Sequence, residues 1–284
     1  MTATRDTDRT RPDSRGGELR LDGVSVAYGR GPAIVDRLDL AVAPGSFVAI
    51  VGPNGCGKST LLRTIAKLLA PSSGSILLDG RALGERGPRE LARELGLLPQ
   101  SNTAPEGMRV GDLVARGRYP HRAAFAKWSG GDESAVSAAM AATGVAELAD
   151  RDVDTLSGGQ RQRVWLAMAL AQDTGTLLLD EPTTYLDLAH QIDMLELFRR
   201  VNREQGRTIV AVLHELNHAA RYADRVVAMR DGRVVVDGAP GEVLTEAAVE
   251  QVFGLPCRVI EDPETGTPLV VPRARVGVAA ERAD

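Results

Sequence analysis

The chain is short of several things, and each shortage excludes a class of protein. Two cysteines occur in 284 residues, Cys56 and Cys257, far apart in sequence. They cannot form a disulfide framework, and this usage suits a reducing compartment. No stretch approaches the ~18 consecutive apolar residues that a membrane-spanning helix needs. Residues 1–17 (MTATRDTDRTRPDSRGG) lack the apolar centre of a secretory leader and are expected to form a disordered tail. Positive charge is not in excess: 34 basic residues face 38 acidic ones, a net charge of −4, so no general field draws nucleic acid. Lysine is rare, occurring only at Lys58, Lys67 and Lys127, while the other 31 cationic residues are arginines. Where arginine is the default cation, a lysine in a special setting carries more information.

What is present is ordinary for a soluble globular protein: 43% hydrophobic and 25% charged residues. The length corresponds to about two domains at ~150 residues each. Short apolar runs at 46–51 (SFVAIV), 176–180 (TLLLD) and 208–214 (TIVAVLH) suit strands buried on both faces of a parallel sheet. Leu61, Leu62, Ile65, Leu68 and Leu69 share one helical face, as do Leu188, Ile192, Leu195, Phe198 and Val201. Asp231-Gly232 between two valine-rich runs signals a hairpin. Residues 88–172 hold helical stretches rich in Ala, Leu and Arg, with few strand-like runs. The expected fold class is therefore α/β, with a mainly helical subdomain over about 88–172 inserted into the core. A loose tail is expected over 273–284.

The first chemical signal is GPNGCGKS at 52–59, which fits G-x-x-x-x-G-K-[ST] after a strand and before a helix. Its small residues let the backbone N–H groups of Gly52, Pro53's successor Asn54, Gly55, Cys56 and Gly57 wrap a phosphate at a positive helix end. Lys58 would reach the β- and γ-phosphates, Ser59 would ligate Mg²⁺, and Thr60 follows in the helix. Cys56 reads as a small tolerated side chain. The run TLLLDEP at 176–182 supplies the acidic element at a strand end. Asp180 is placed to hold Mg²⁺, and Glu181 to act as general base on a water molecule.

LSGGQRQRV at 156–164 offers a second phosphate-binding helix end, with Ser157 as cap and Gly158, Gly159 and Gln160 exposing N–H groups. This run resembles the signature motif of ATP-binding cassette (ABC) ATPases. The resemblance covers roughly residues 18–255 and implies a P-loop NTPase (RecA-like) core, an N-terminal antiparallel β region and a C-terminal extension over 256–284. It also implies that Ser157–Gln160 bind the γ-phosphate of ATP held by another protomer, so two cassettes would sandwich two ATP molecules head to tail. Tyr28 resembles the aromatic that stacks on adenine. Gln100, in LGLLPQ, resembles the glutamine that senses Mg²⁺ and the attacking water. Asp187 resembles an aspartate that acts across the dimer interface, and His214 the histidine that contacts the γ-phosphate.

A rival pattern, H-E-x-x-H at 214–218, formally fits a zinc protease. It places His214 at a strand end instead of mid-helix, and Arg221 and Asp224 stand where the metzincin continuation needs Gly and His. Finer features resemble the ferric-siderophore branch of the iron-chelate and cobalamin importers: 112–125, 214–245 and 254–272. They imply ATP-driven import at the cytoplasmic membrane face. The implied partners are an identical second cassette, polytopic permease subunits and, indirectly, an extracytoplasmic binding protein, with no nucleic acid. Tyr119, Pro120 and His121 would dock the permease. Cobalamin, heme or another metal chelate remain alternative cargoes, and a soluble ABC regulator is the alternative class.

Overall fold

Alternation of side chains decides the central layer. The computed structural model describes residues 14–29, 31–100, 103–122, 127–184 and 186–274. In chain order the elements are β1 (Leu19–Ala27), β2 (Ala33–Val42), β3 (Phe47–Val51), α1 (Lys58–Ile65), β4 (Ser73–Leu78), β5 (Arg81–Ala82), α2 (Pro88–Glu94) and β6 (Leu95–Leu98). Then come α3 (Val110–Ala115), α4 (Gly130–Ala142), α5 (Gly158–Ala171), β7 (Thr176–Asp180), α6 (Leu188–Gln205), β8 (Thr208–Val212) and α7 (Leu216–Tyr222). The chain continues through β9 (Arg225–Arg230), β10 (Arg233–Gly238), α8 (Pro240–Val243), α9 (Glu246–Phe253), β11 (Cys257–Glu261) and β12 (Pro268–Pro272).

Six strands form the central sheet in the order β10-β9-β3-β8-β7-β6, with parallel pairing from β9 to β6 and an antiparallel β10 at one edge. Period-2 alternation sends Val48, Ile50, Leu178, Val210 and Val212 to one face. There they pack on α1 and on the antiparallel sheet β2-β1-β4-β5. Phe47, Ala49, Val51, Leu177, Leu179, Ile209 and Ala211 face the other way, against α5, α6 and α7. Full burial of each such Val, Leu or Ile stabilises the fold by about 1.5–3 kcal/mol. Parallel strands place their carboxyl ends at one sheet edge, where ligand crevices form in open α/β sheets.

The structure corrects several expectations. α1 stops at Ile65, and Lys67 takes a left-handed turn (φ 59), which leaves Leu68 exposed instead of on the buried face. Leu188, at the first turn of α6, is likewise exposed, whereas Leu195, Phe198 and Val201 are buried. β6 lies inside the stretch 88–172 but pairs with β7 in the core sheet, so the helical insertion proper begins after it. Residues 14–17 are not a loose tail: Arg15 and Gly16 N–H groups donate to Gly206 O, and Arg15 pairs with Asp173. Arg273, at the start of the expected C-terminal tail, donates its N–H to Pro256 O. Residues 1–13, 123–126 and 275–284 lie outside the described residues, and with them most of both expected tails and the end of the segment 112–125.

In the helical insertion, Ser129 and Asp132 cap α4 reciprocally, and Arg118 pairs with Asp132 at 3.0 Å. The Ser129 hydroxyl first and the Arg118 guanidinium second hold the Asp132 carboxyl down at about 2. A carboxylate depressed in the folded state stabilises above its unfolded value of about 3.9 and loses that contribution as pH falls through the folded value. Amide-exchange protection at the start of α4 is therefore expected to decline between pH ~4 and pH ~2, and Asp132→Asn is expected to remove that dependence.

The hairpin β11–β12 packs on α7. Asn217 of α7 donates Nδ2 to Val270 O (3.3 Å) and accepts from Val270 N at Oδ1 (2.8 Å). Asn217→Leu leaves both backbone groups unpaired, so a loss of about 1–3 kcal/mol in urea unfolding is expected.

Candidate functional site

β3 runs into the loop 52–57 and then α1, and the tight turn is made possible by glycine. At Gly57 φ is 102°, and a Cβ there would lie 2.8 Å from Ile34 O. At Gly52 a Cβ would lie 2.2 Å from Met229 O. Lys58 is buried and donates Nζ to Gly52 O (2.8 Å) and Pro53 O (2.9 Å). An ammonium has three donors, so one remains for a phosphate oxygen. Cys56 is buried beside it, Sγ to Nζ 3.9 Å, and burial pushes its thiol up against the opposing effect of Lys58. Cys257 is also free and buried, so neither thiol is paired.

The carboxyl ends of β7 and β8 bring the acidic and basic partners to this loop. Ser59 Oγ donates to Asp180 Oδ1 at 2.7 Å. Asp180 is buried, and burial raises its carboxyl above the ordinary value, opposed first by Ser59 and then by Arg63. Its Oδ2 has no hydrogen-bond partner, with Arg63 Nη2 4.0 Å away. A buried, hydrogen-bond-free carboxylate oxygen next to a serine hydroxyl is the oxygen donor set that a hard divalent cation takes, and so the residues fit Mg²⁺.

One residue on, Glu181 sits in the left-handed region (φ 53), a costly conformation for a non-glycine residue that turns its side chain into the cleft. Three groups converge on its carboxylate. Gln100 Nε2 donates to Oε2 (2.6 Å), Thr184 Oγ1 donates to Oε2 (3.2 Å), and His214 Nε2 lies 2.7 Å from Oε1. Ile34, Asn54, Gly55, Lys58, Ser59, Thr60, Gln100, Glu181, Thr184 and His214 border one cleft of ≈ 570 Å³. The expected Asp180, Glu181, Gln100 and His214 are thus brought to the phosphate loop. Thr184, Ile34 and Arg63 were not singled out by the sequence.

Other expected residues lie elsewhere. Ser157–Gln160, Asp187 and Tyr28 do not border the cleft. Ser157 Oγ accepts from Gln160 N, and Gln160 Oε1 accepts from Ser157 N, which closes a cap on α5 (Gly158–Ala171). Asp187 caps α6, accepting from His190 N (2.9 Å), and these contacts with His190 lower its carboxyl. Tyr28 is 48% exposed on the β1–β2 connection, so it is not a core aromatic. His214 follows β8 and precedes α7, so His214 and His218 do not share a helix as a zinc protease pair would. Among the described residues no three or more His, Cys, Asp or Glu side chains gather as a metal site.

A phosphate loop, a serine–aspartate pair and a clamped glutamate at one sheet edge are joined by a family match. The ABC transporter family model fits residues 35–184. The chain belongs to the ABC transporter family. It is similar to the ferric enterobactin transport ATP-binding protein FepC of Escherichia coli (strain K12), 52% identical over 257 residues, covering 90% of this chain and 94% of that protein. It is 49% identical to the petrobactin import ATP-binding protein FpuD of Bacillus anthracis, covering 90% and 94%. It is 46% identical to the hemin import ATP-binding protein HmuV of Nocardia farcinica (strain IFM 10152), covering 89% and 88%. Among solved structures, a transporter assigned to the metal-chelate type, in an inward-facing conformation, aligns with TM-score 0.78 at 28% identity, covering 91% of this chain and 98% of that one. A dimeric cassette bound to ADP and Pi aligns with TM-score 0.69 at 28% identity, covering 78% and 98%. This ABC cassette is an ATPase of the transport-coupled kind, with the P-loop NTPase fold and antiparallel β region that the sequence implied. None of its described helices is long and apolar enough to cross a membrane.

Proposed function

We propose that this ABC cassette powers import of a ferric siderophore through membrane permease subunits. The clamped Glu181 carboxylate, held by Gln100, Thr184 and His214 at the mouth of the phosphate loop, is the observation that carries the catalytic part. Lys58 and the loop Gly52–Gly57 bind the ATP phosphates, and Ser59, Asp180 and Gln100 would hold Mg²⁺, which would supply charge neutralisation of the phosphates. Glu181 accepts the proton of the attacking water, and His214 steadies the carboxylate. Gln100→Ala removes one of the donors to Glu181 together with one of the groups that would hold Mg²⁺, and is expected to lower kcat by about tenfold in a steady-state ATPase assay.

The signature residues Ser157–Gln160, together with Asp187, serve the nucleotide of a second copy, and Tyr28 stacks on adenine. Their position away from the cleft of their own chain supports a head-to-tail homodimer. Tyr119 is 56% exposed on the turn Arg116–His121, which Arg93 fastens through Pro120 O and His121 through Gln172 O. Tyr119, exposed beside the half-buried Pro120 and His121, therefore offers a firmly held contact for a permease helix. The siderophore reading draws on relatives that import ferric enterobactin and petrobactin, and hemin is its rival cargo. The localisation that follows is the cytoplasmic membrane face, through the permease, with an extracytoplasmic binding protein as indirect partner.

Affinity capture from detergent-solubilised native membranes tests the transport coupling. Polytopic membrane proteins are expected to co-purify with the wild-type chain and to be lost with Tyr119→Asp. Capture of soluble partners alone would favour a regulatory ABC protein.

A further inference from the structure

Gln162 stands in the run LSGGQRQRV, yet its side chain leaves that run. Gln160 closes the cap with Ser157, and Arg161 Nη2 donates back to Asp154 O (3.3 Å). Gln162 is half-buried and reaches from α5 to the loop after β7, where its Nε2 donates to Pro182 O at 3.1 Å. Pro182 is the residue after Glu181. Gln162 itself does not border the nucleotide cleft.

The loop it reaches is strained. Glu181 takes φ 53, whereas a residue that precedes proline favours extended backbone. Such a conformation persists only where its surroundings over-determine it. Pro182 has no N–H, so the loop cannot be fastened there through a nitrogen. Carbonyls remain. Glu181 O accepts from Thr184 N (3.3 Å), and Pro182 O accepts from Gln162. The first bond is internal to the loop, and the second fixes the loop to another element. Pro182 is buried, where a carbonyl left unpaired is costly.

The same face of α5 meets the chain beyond Glu181 a second time. Gly159, three residues before Gln162, lies on that face. A Cβ at Gly159 would lie 3.4 Å from His190 Cδ2 and 3.7 Å from Leu186 Cδ2. Leu186 O in turn accepts from Gln191 Nε2 (2.9 Å). Pro182 and the pair Leu186 and His190 are thus seated on α5, the first by a hydrogen bond and the pair by packing.

We propose that Gln162 is a positioning residue for Glu181, fixing through Pro182 O the turn that aims the carboxylate into the cleft. It acts through the backbone of the loop and touches no reacting atom. The proposal rests on Glu181 being the base. Because Ser157 caps α5 and Gly158–Gln160 form its first turn, the base is tied to the helix that carries this chain's own signature residues.

ATP hydrolysis by the full chain tests this in a double-mutant cycle with Glu181→Gln. Gln162→Met keeps the length and helix preference of the side chain and removes the donor. It is expected to lower kcat about fivefold or more, with fluorescent-nucleotide affinity within about twofold of wild type. Gln162→Lys returns a donor and is expected to restore kcat to within about twofold of wild type. In the Glu181→Gln background, single-turnover hydrolysis is expected to be the same with and without Gln162→Met, because the group being aimed is gone. A merely structural tie would lower both backgrounds alike. Gln162→Glu, equal in shape and without the donor, replaces Gln162→Met should that variant fail to fold. Turnover of the donor-free variant within about twofold of wild type, an equal loss in both backgrounds, or no recovery with Gln162→Lys would overturn the role. Turnover kept by Glu181→Gln alone would instead overturn the base reading beneath it, so the two failures are told apart.

Discussion

Glu181→Gln is expected to lower steady-state ATP turnover by about 10²–10⁴-fold, the range general-base catalysis supplies, while ATP still binds. The substitution keeps the size and one oxygen acceptor of the side chain but removes the group that takes a proton from water. It also turns one oxygen of the clamp into an amide NH2, from which His214 Nε2 accepts in its Nδ1-protonated tautomer, while the remaining oxygen keeps the bond from Gln100. The variant should therefore bind ATP with near-native affinity and accumulate as a dimer on gel filtration with ATP and Mg²⁺. Turnover within a few-fold of wild type would remove Glu181 from the base role. A loss of ATP binding equal to the loss of turnover would recast it as a binding residue.

Lys58→Ala should fail at the earlier step. Lys58 is the only lysine in the cleft, and its third donor is the one available to a phosphate. Hydrogen bonds to charged groups contribute about 1.5–3 kcal/mol each, so a loss of about 10²-fold in nucleotide affinity is expected. The ammonium also ties Gly52 O and Pro53 O together, so its removal loosens the loop that wraps the phosphates. Fluorescent-nucleotide titration checks this, and native affinity in a folded Lys58→Ala chain would contradict it. The pair of variants separates binding from hydrolysis: one binds without turnover, the other does not bind.

The phosphate loop was legible because everything it needs is local. Strand, glycines, lysine and serine follow one another within 46–59, and the conformations those glycines take are demanded by neighbours such as Ile34 O and Met229 O. Asp180 and Glu181 were legible for the same reason, as the end of an apolar strand. Gln100 and His214 carried little signal in themselves and were reached through family resemblance, because their meeting at Glu181 depends on the order of strands across the sheet. Thr184 escaped notice because its contact with Glu181 arises from the left-handed turn at that residue, which a glutamate does not advertise. β6 was hidden as well: LGLL follows α2 with no Gly or Pro break between them, and four apolar residues fit a helix as readily as a strand. The docking of residues 14–17 rests on close approach of Gly16 to Gly175 and Thr208, far away in sequence, and no local pattern announces it.

Uptake of labelled ferric siderophore tests the central claim most directly. Native cells would be compared with cells whose chromosomal copy carries Lys58→Ala and which hold no second ATPase of this kind. The account predicts that siderophore uptake falls to background in the variant while unrelated ATP-driven uptake is unchanged, and that labelled hemin and cobalamin uptake are unaffected. Siderophore uptake equal to wild type, or loss confined to hemin or cobalamin, would contradict the cargo while leaving the ATPase in place.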